Sequence, residues 1–347
     1  MADIDVAPPI SSTNGAAAGD LPLVDTHHGN AQVRGQASVA RSTLNEGRFG
    51  RMFRTLSPLD PGGDAIHALV QHMKDAAETP SGDNHKIPAG YTYLGQFIDH
   101  DITFDPMSQL QKQNDPDALI DFRTPRFDLD SLYGSGPSDS PFLYESNSPA
   151  NKGLKLLVGV NAANSEFEPH DLPRNQQGRA LTGDPRNDEN LIVSQLHLLF
   201  IRFHNKVLDR VRQNHPELTG GALLEESQRV VRWHYQWIVV HDFLERIAGK
   251  ATAQAVLKPG TATTPPTVDR QFFNWTNDPF MPVEFSGAAY RFGHSMIRPD
   301  YDLNEVIVEI PIFAASADPS PLEHLGGFRR LPSGWSVDWR RFFKTSS

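Results

Sequence analysis

The chain has 347 residues, 38% of them hydrophobic, with 26 glycines and no cysteine. That length allows one large or two ordinary domains, and the apolar share is that of a globular rather than a disordered chain. With 32 Lys and Arg against 42 Asp and Glu, the net charge of −10 speaks against general nucleic-acid binding, and the missing cysteines exclude disulfides, thiolate zinc and cysteine nucleophiles, so any metal is held by His, carboxylate or carbonyl.

Residues 1–45, rich in Ala, Gly, Ser, Pro and Asn, read as a flexible N-terminal extension. Neither a basic n-region nor an apolar h-region is present, so no Sec-type signal is expected, and no run is long enough for a membrane span. Location is left between export by a non-classical route and the cytoplasm. Ile66, Leu69, Val70 and Met73 predict a short amphipathic helix before the break at Thr79-Pro-Ser-Gly-Asp83. A long helix is predicted from Asn190 to Asn214, on the spacing of Leu196, Phe200, Phe203, Val207 and Val211, and a second from Leu223 to Ala248 with Gly249 as C-cap. Residues 258–282, rich in Pro and Thr, read as a loop, Phe285 to Ile297 as a compact piece, and Val306 to Ile310 as the best strand. The balance predicts a mainly α fold with long irregular connections and little β.

Four segments concentrate polar groups. In Tyr93-Leu-Gly-Gln-Phe-Ile-Asp-His-Asp-Ile-Thr-Phe104, a helix puts Gln96, Asp99 and His100 on one face and turns Asp101 about 100° away. The bland alternative is a surface helix. In Thr182-Gly-Asp-Pro-Arg-Asn-Asp-Glu-Asn190, Asp184 caps the long helix with Pro185 at its first position, and Arg186 and Glu189 share a face. In Ala289-Tyr-Arg-Phe-Gly-His-Ser-Met-Ile297, His294 ends an aromatic stretch; a core histidine bonded to a carbonyl is the alternative. In Arg123-Thr-Pro-Arg-Phe-Asp-Leu-Asp130, Thr124, Asp128, Asp130 and the Arg126 carbonyl offer alternating oxygens that suit Ca²⁺ or, equally, Asx-turns. The pairs His197/His204 and His234/His241 read as core histidines before they read as a metal bundle, and Asn274-Trp-Thr276 as a chance glycosylation match.

Taken in chain order, these four segments, with Leu-His-Leu-Leu-Phe-Ile-Arg-Phe-His-Asn following Thr182–Asn190, resemble the animal-type haem peroxidases, the superfamily that includes the cyclooxygenases and fatty-acid dioxygenases. The resemblance runs over residues 90–297. It implies a helical haem peroxidase domain over 46–347 of the myeloperoxidase type, with the family's C-terminal portion expected to be missing. By the same resemblance His100 is the distal histidine, Arg186 the distal arginine, His294 the proximal iron ligand and Gln96 a distal-pocket amide. Asp99 and Glu189 match the carboxylates ester-linked to haem. Asp101 joins Thr124, Arg126, Asp128 and Asp130 as the calcium site. Arg-Phe-Gly-His is the peroxidase form of the proximal stretch. The implied activity is reduction of hydrogen peroxide with oxidation of small organic donors, iodide, bromide or thiocyanate, in the setting of oxidative stress. Asn190 stands where myeloperoxidase-type members carry a haem-bonding methionine, so weak chloride oxidation is expected. The missing cysteines and short helical core read as bacterial. Two rivals are a haem-dependent fatty-acid dioxygenase and a haem-free structural or adhesive module.

Overall fold

The computed structural model describes residues 47–57, 59–73, 84, 86–104, 120–121, 123–159, 170–261, 263–275, 279–316 and 320–344. The extension at 1–45, the break at 79–83 and Thr276 lie outside the described residues.

In chain order the elements are β1 (Gly47–Gly50), α1 (Gly63–Met73), α2 (Gly90–Ile102), β2 (Ile120–Asp121), α3 (Asp130–Tyr133), 3₁₀ turns at Pro141–Leu143 and Pro185–Asp188, α4 (Leu191–Asn214) and α5 (Gly220–Ile238). A π turn at Val239–Phe243 then leads into α6 (Leu244–Ala248), followed by α7 (Lys250–Val256), β3 (Leu257–Lys258), β4 (Thr267–Val268), β5 (Met281–Pro282) and α8 (Val283–Gly287). A 3₁₀ helix at Ala289–Met296, β6 (Asp300–Tyr301), β7 (Ile310–Pro311) and α9 (Trp339–Phe342) complete the fold. It is mainly α; the strands are two to four residues long, with β1 antiparallel to β2 and parallel to β5.

The long helix starts where its cap is. Asn190 Oδ1 accepts the Val193 N–H at 2.9 Å, and Asp184, expected to cap this helix, caps the preceding 3₁₀ turn, with Pro185 at the first position of that turn. The second long helix is broken by the π turn and ends at Gly249, whose φ of 86° is the left-handed conformation a C′ glycine supplies. The expected strand Val306 to Ile310 does not form. Asn304 Oδ1 captures the N–H groups of Val306 and Ile307 at 2.9 and 3.0 Å, which curls the segment and leaves only Ile310 paired. Part of the expected loop at 258–282 is a hairpin, with β3 paired to β4. In α1 the apolar stripe of Ile66, Leu69 and Val70 is present but exposed.

Packing explains why α2 is central. Phe97 and Ile98 of α2 meet Leu196 and Phe200 of α4 and Val231 and Tyr235 of α5 in one buried cluster. Phe97 stacks on Phe200 at 4.8 Å, and Tyr235 meets both rings edge-on. On its other side α2 contributes Tyr93 to a cluster with Leu191, Ile192, Tyr301, Leu325, Trp335 and Phe342. The C-terminal segment is laced to the start of α4: Leu191 N–H donates to Leu325 O at 2.8 Å, Gly327 N–H to Glu189 O at 2.9 Å, and Phe328 N–H to Asp188 O at 2.7 Å. Only glycine fits at 327, since a Cβ there would lie 1.7 Å from Asp188 O.

Candidate active site

Because α2 is walled in on both sides, its polar residues are buried with it: Asp99, His100 and Asp101 are each less than 10% exposed. The surface-helix alternative fails. Along this helix runs a cavity of about 580 Å³, within the ordinary range of roughly 300–1,000 Å³ for small-molecule and cofactor sites. Gln96, Asp99 and His100 line it from α2, Glu189 and Asn190 from the start of α4, and Tyr290, Arg291, Phe292 and His294 from the Ala289–Met296 turn. Gln96, Asp99, His100, Glu189 and His294, which the resemblance marks out, thus surround one space.

His100 Nδ1 lies 2.8 Å from Asn187 Oδ1, and its Nε2 is 3.8 Å from Glu189 Oε1. Burial, reinforced by Arg186, pushes its pKa down to about 3, so the ring is a neutral base. Gln96 donates to Glu189 Oε1 and accepts from Asn190 Nδ2 at 2.9 Å. Burial raises the carboxyls of Asp99 and Glu189 above their usual range, with Arg291 and Arg186 respectively opposing it. Arg291 Nη1 is 3.4 Å from Asp99 Oδ2.

Arg186 is placed differently from expectation. Its guanidinium binds Asp184 Oδ2 at 2.8 Å, the carbonyls of His100 and Thr103, and the face of Phe104 at 4.8 Å; it does not line the cavity. Although a 3₁₀ turn sets residues 186 and 189 on one face, the bonds to the buried Asp184 and to the His100 carbonyl draw the guanidinium away from the cavity. Arg123 joins from the opposite side, donating to the same Asp184 oxygen at 2.7 Å. Burial works to raise the Asp184 carboxyl, but the two guanidiniums overrule it and hold it far below the carboxylate range.

His294 donates its Nδ1–H to the carbonyl of Arg291 at 2.8 Å, one turn back. That bond fixes the tautomer with a bare Nε2, the arrangement of a metal-ligating imidazole, and a second histidine lines the same apolar-walled cavity. The residues therefore fit a haem, which His294 would hold by its bare Nε2 and Asp99, Glu189 and Arg291 would meet as polar contacts.

A second cluster sits on the far face of α2. One carboxylate oxygen each from Asp101, Asp128 and Asp130 lie within 4.8 Å of one another, all buried. Thr124 Oγ1 donates to Asp128, and Arg126 N–H bonds Thr124 O at 2.7 Å, folding the loop on itself. Burial and the neighbouring Asp128 push the Asp101 pKa up to about 8. Three converging buried carboxylates fit a hard cation such as Ca²⁺. The histidine pairs have separate partners: His197 meets Asn187, His204 meets Tyr133 and the Leu154 carbonyl, His234 meets the Val230 carbonyl and His241 packs on Trp237.

Sequence reasoning did not single out Asn187, Arg291 or His324. The first two stand inside the quoted motifs, while His324 lines the cavity from a segment with no pattern to flag it.

Comparison with known proteins places this arrangement. The animal haem peroxidase domain profile matches residues 109–334. Human eosinophil peroxidase is 27% identical over 292 residues, covering 78% of this chain and 38% of its own length. Mouse myeloperoxidase is 26% identical over 265 residues, 59% of this chain and 35% of its own. A Caenorhabditis elegans peroxidasin homologue is 25% identical over 232 residues, 62% of this chain and 17% of its own, so the chain spans well under half of these relatives. Among solved structures, Dictyostelium discoideum peroxidase A aligns with a TM-score of 0.44 and 16% identity, covering 82% of this chain and 60% of that one. Oryza sativa fatty acid alpha-dioxygenase aligns at 0.46 with 18% identity, covering 76% and 47%. With a profile that matches well over half of its residues, the chain belongs to the animal haem peroxidase family.

Proposed function

We propose that this chain binds haem between α2 and the Ala289–Met296 turn and reduces hydrogen peroxide, oxidising small organic donors, iodide, bromide or thiocyanate. The observation that carries the reading is the pair of histidines on one cavity, a buried neutral His100 and a His294 whose Nδ1–H is tied to a carbonyl. Haem, when bound, supplies the iron that takes up the peroxide and the electrons that reduce it.

The chain's own residues do the rest. His100 Nε2 accepts the proton of the incoming peroxide and returns it to the departing oxygen, work that general acid–base groups speed by about 10²–10⁴-fold. Gln96, held at both ends of its amide by Glu189 and Asn190, keeps polar groups ordered beside that nitrogen. Arg186 acts from behind: its guanidinium binds the His100 carbonyl at 3.2 Å and so holds the end of α2. Asp99 and Glu189 are the carboxyls placed to anchor the macrocycle, by ester bonds in this reading. One Ca²⁺ at Asp101, Asp128 and Asp130, with Thr124 and Arg126, ties the far face of the same helix to its loop.

Reconstitution with haemin tests this directly. A ferric haem spectrum that is lost in His294→Ala, together with peroxide-dependent oxidation of iodide and a phenolic donor, is the expected result. Peroxide-independent oxygen uptake with a fatty acid would replace the reading by a dioxygenase, and failure to bind haem would leave a structural module. Haem that resists acid–organic extraction after peroxide treatment, and leaves freely only when Asp99→Val and Glu189→Gln are combined, tests the ester bonds.

A further inference from the structure

The 3₁₀ turn Pro185–Asp188 carries a residue that none of the roles above uses. Asn187 is 0% exposed, and its amide lies between two imidazoles: Oδ1 is 2.8 Å from His100 Nδ1, and Nδ2 is 3.0 Å from His197 Nδ1. The backbone holds it there, with Asn187 N–H donating to Asp184 O at 3.1 Å.

We propose that Asn187 is the positioning residue of the distal site, forcing His100 and His197 into opposite tautomers so that His100 presents a bare Nε2 to the cavity. The argument is one of hydrogen inventory. An amide oxygen only accepts and an amide nitrogen only donates, while each neutral imidazole carries one N–H. The ring on Oδ1 must therefore hold its hydrogen on Nδ1, and the ring on Nδ2 must hold its own on Nε2. Turning the amide over would invert both rings together, so opposite tautomers are required in either orientation. In the orientation observed, His100 faces Asn187 with Nδ1–H and the cavity with a lone pair. His197 is the anchor behind it. It is 1% exposed and packed edge-on against Phe97 at 6.0 Å, so the amide is fixed at both ends and His100 cannot exchange tautomers without costing the second bond.

The use of that lone pair rests on the peroxide reading; the tautomers are a property of the fold alone. Long-range ¹H–¹⁵N spectra of the ¹⁵N-histidine-labelled full chain at pH 7, with His100→Gln and His197→Gln to assign the signals, read both rings without haem. Expected are His100 protonated on Nδ1 and His197 on Nε2. In Asn187→Asp, where both side-chain oxygens accept, His197 alone should switch to Nδ1–H. In Asn187→Leu, His100 should move to a mixture of tautomers, and after haemin loading its reaction with peroxide should slow at least tenfold. The proposal is overturned if the wild-type rings share one tautomer, if His100 carries its hydrogen on Nε2, or if His100 in Asn187→Leu stays wholly on Nδ1. Should the Asn187 variants fail to fold, the assigned wild-type spectrum still decides. The expected tautomers in a chain that binds haem but ignores peroxide would sink the functional reading and leave this one standing.

Discussion

The two walls of the cavity are built on different principles. The α2 wall is global: His100 is held by Asn187 from one turn, Asp99 is approached by Arg291 from another, and Asp184 gathers Arg123 and Arg186 across more than 60 positions of sequence. In the Ala289–Met296 wall no residue is buried; Tyr290 and Arg291 reach across to Gly95 O and Asp99, but His294 and Ser295 bond only to carbonyls three positions back. One wall thus stakes stability on its geometry, whereas the other can be altered at His294 almost without folding cost.

The largest effect is expected of Asp184→Ala, which leaves two guanidiniums around a buried void. A loss of about 3–5 kcal/mol in urea unfolding is expected, since removing one partner strands a buried charge. A loss below 1 kcal/mol would show that the α2 wall does not depend on this hub. Because the Asp184 carboxyl is held below its unfolded value, its contribution is full above about pH 4 and lost as pH falls further.

Next in size is calcium. At a free concentration about a hundredfold above its Kd, Ca²⁺ should stabilise the chain by about 2.7 kcal/mol, and Asp128→Ala should abolish the effect. A melting temperature indifferent to calcium and to chelator would remove the ion from the site.

Asp121 works in the opposite sense to Asp184. Burial, only partly offset by the N–H groups of Phe104 and Arg123, pushes its pKa up to about 7. A carboxyl raised in the folded state gives stability that is fully present below its unfolded value and lost as pH rises toward 7. Asp121→Asn should therefore leave stability at pH 4 nearly unchanged and raise it at pH 7 by on the order of a few kcal/mol. An equal effect at both values would contradict the buried titration.

The smallest effect is the most telling. His294→Ala should change unfolding free energy by no more than about 0.5 kcal/mol, as for surface substitutions generally, while lowering haem occupancy severely. Denaturation of the haem-free chain beside haem titration checks both halves; a large loss of stability would mean that His294 is held by more than its local bond.

Much of this was legible in the sequence because it is written at short range. The 3- and 4-residue spacing of Leu196, Phe200 and Val211 gave α4, and the pattern from Gln96 to His100 gave the shared face lining the cavity. What escaped is decided by competition among distant groups. Nothing local tells whether Arg186 turns toward Glu189 or toward Asp184, because the outcome depends on the carbonyls of His100 and Thr103, more than 80 positions earlier. Asn304 likewise cancels the alternation at Val306 to Ile310 with one side-chain oxygen. His324 has neither period nor motif and reaches the cavity only through the C-terminal lacing.

That lacing also sets a clock. Glu189 and Gly327 bond across 138 positions of sequence, and the fit at Gly327 admits no Cβ, so the turn carrying Arg186, Asn187 and Glu189 meets its final backbone partner only when the last portion of the described chain has emerged. At roughly 5–20 residues per second, a ribosome that has just delivered Glu189 needs on the order of ten seconds more to deliver Gly327. During that interval α2 and the start of α4 stand without the segment whose N–H groups bond the carbonyls of Asp188 and Glu189, so the turn is completed late.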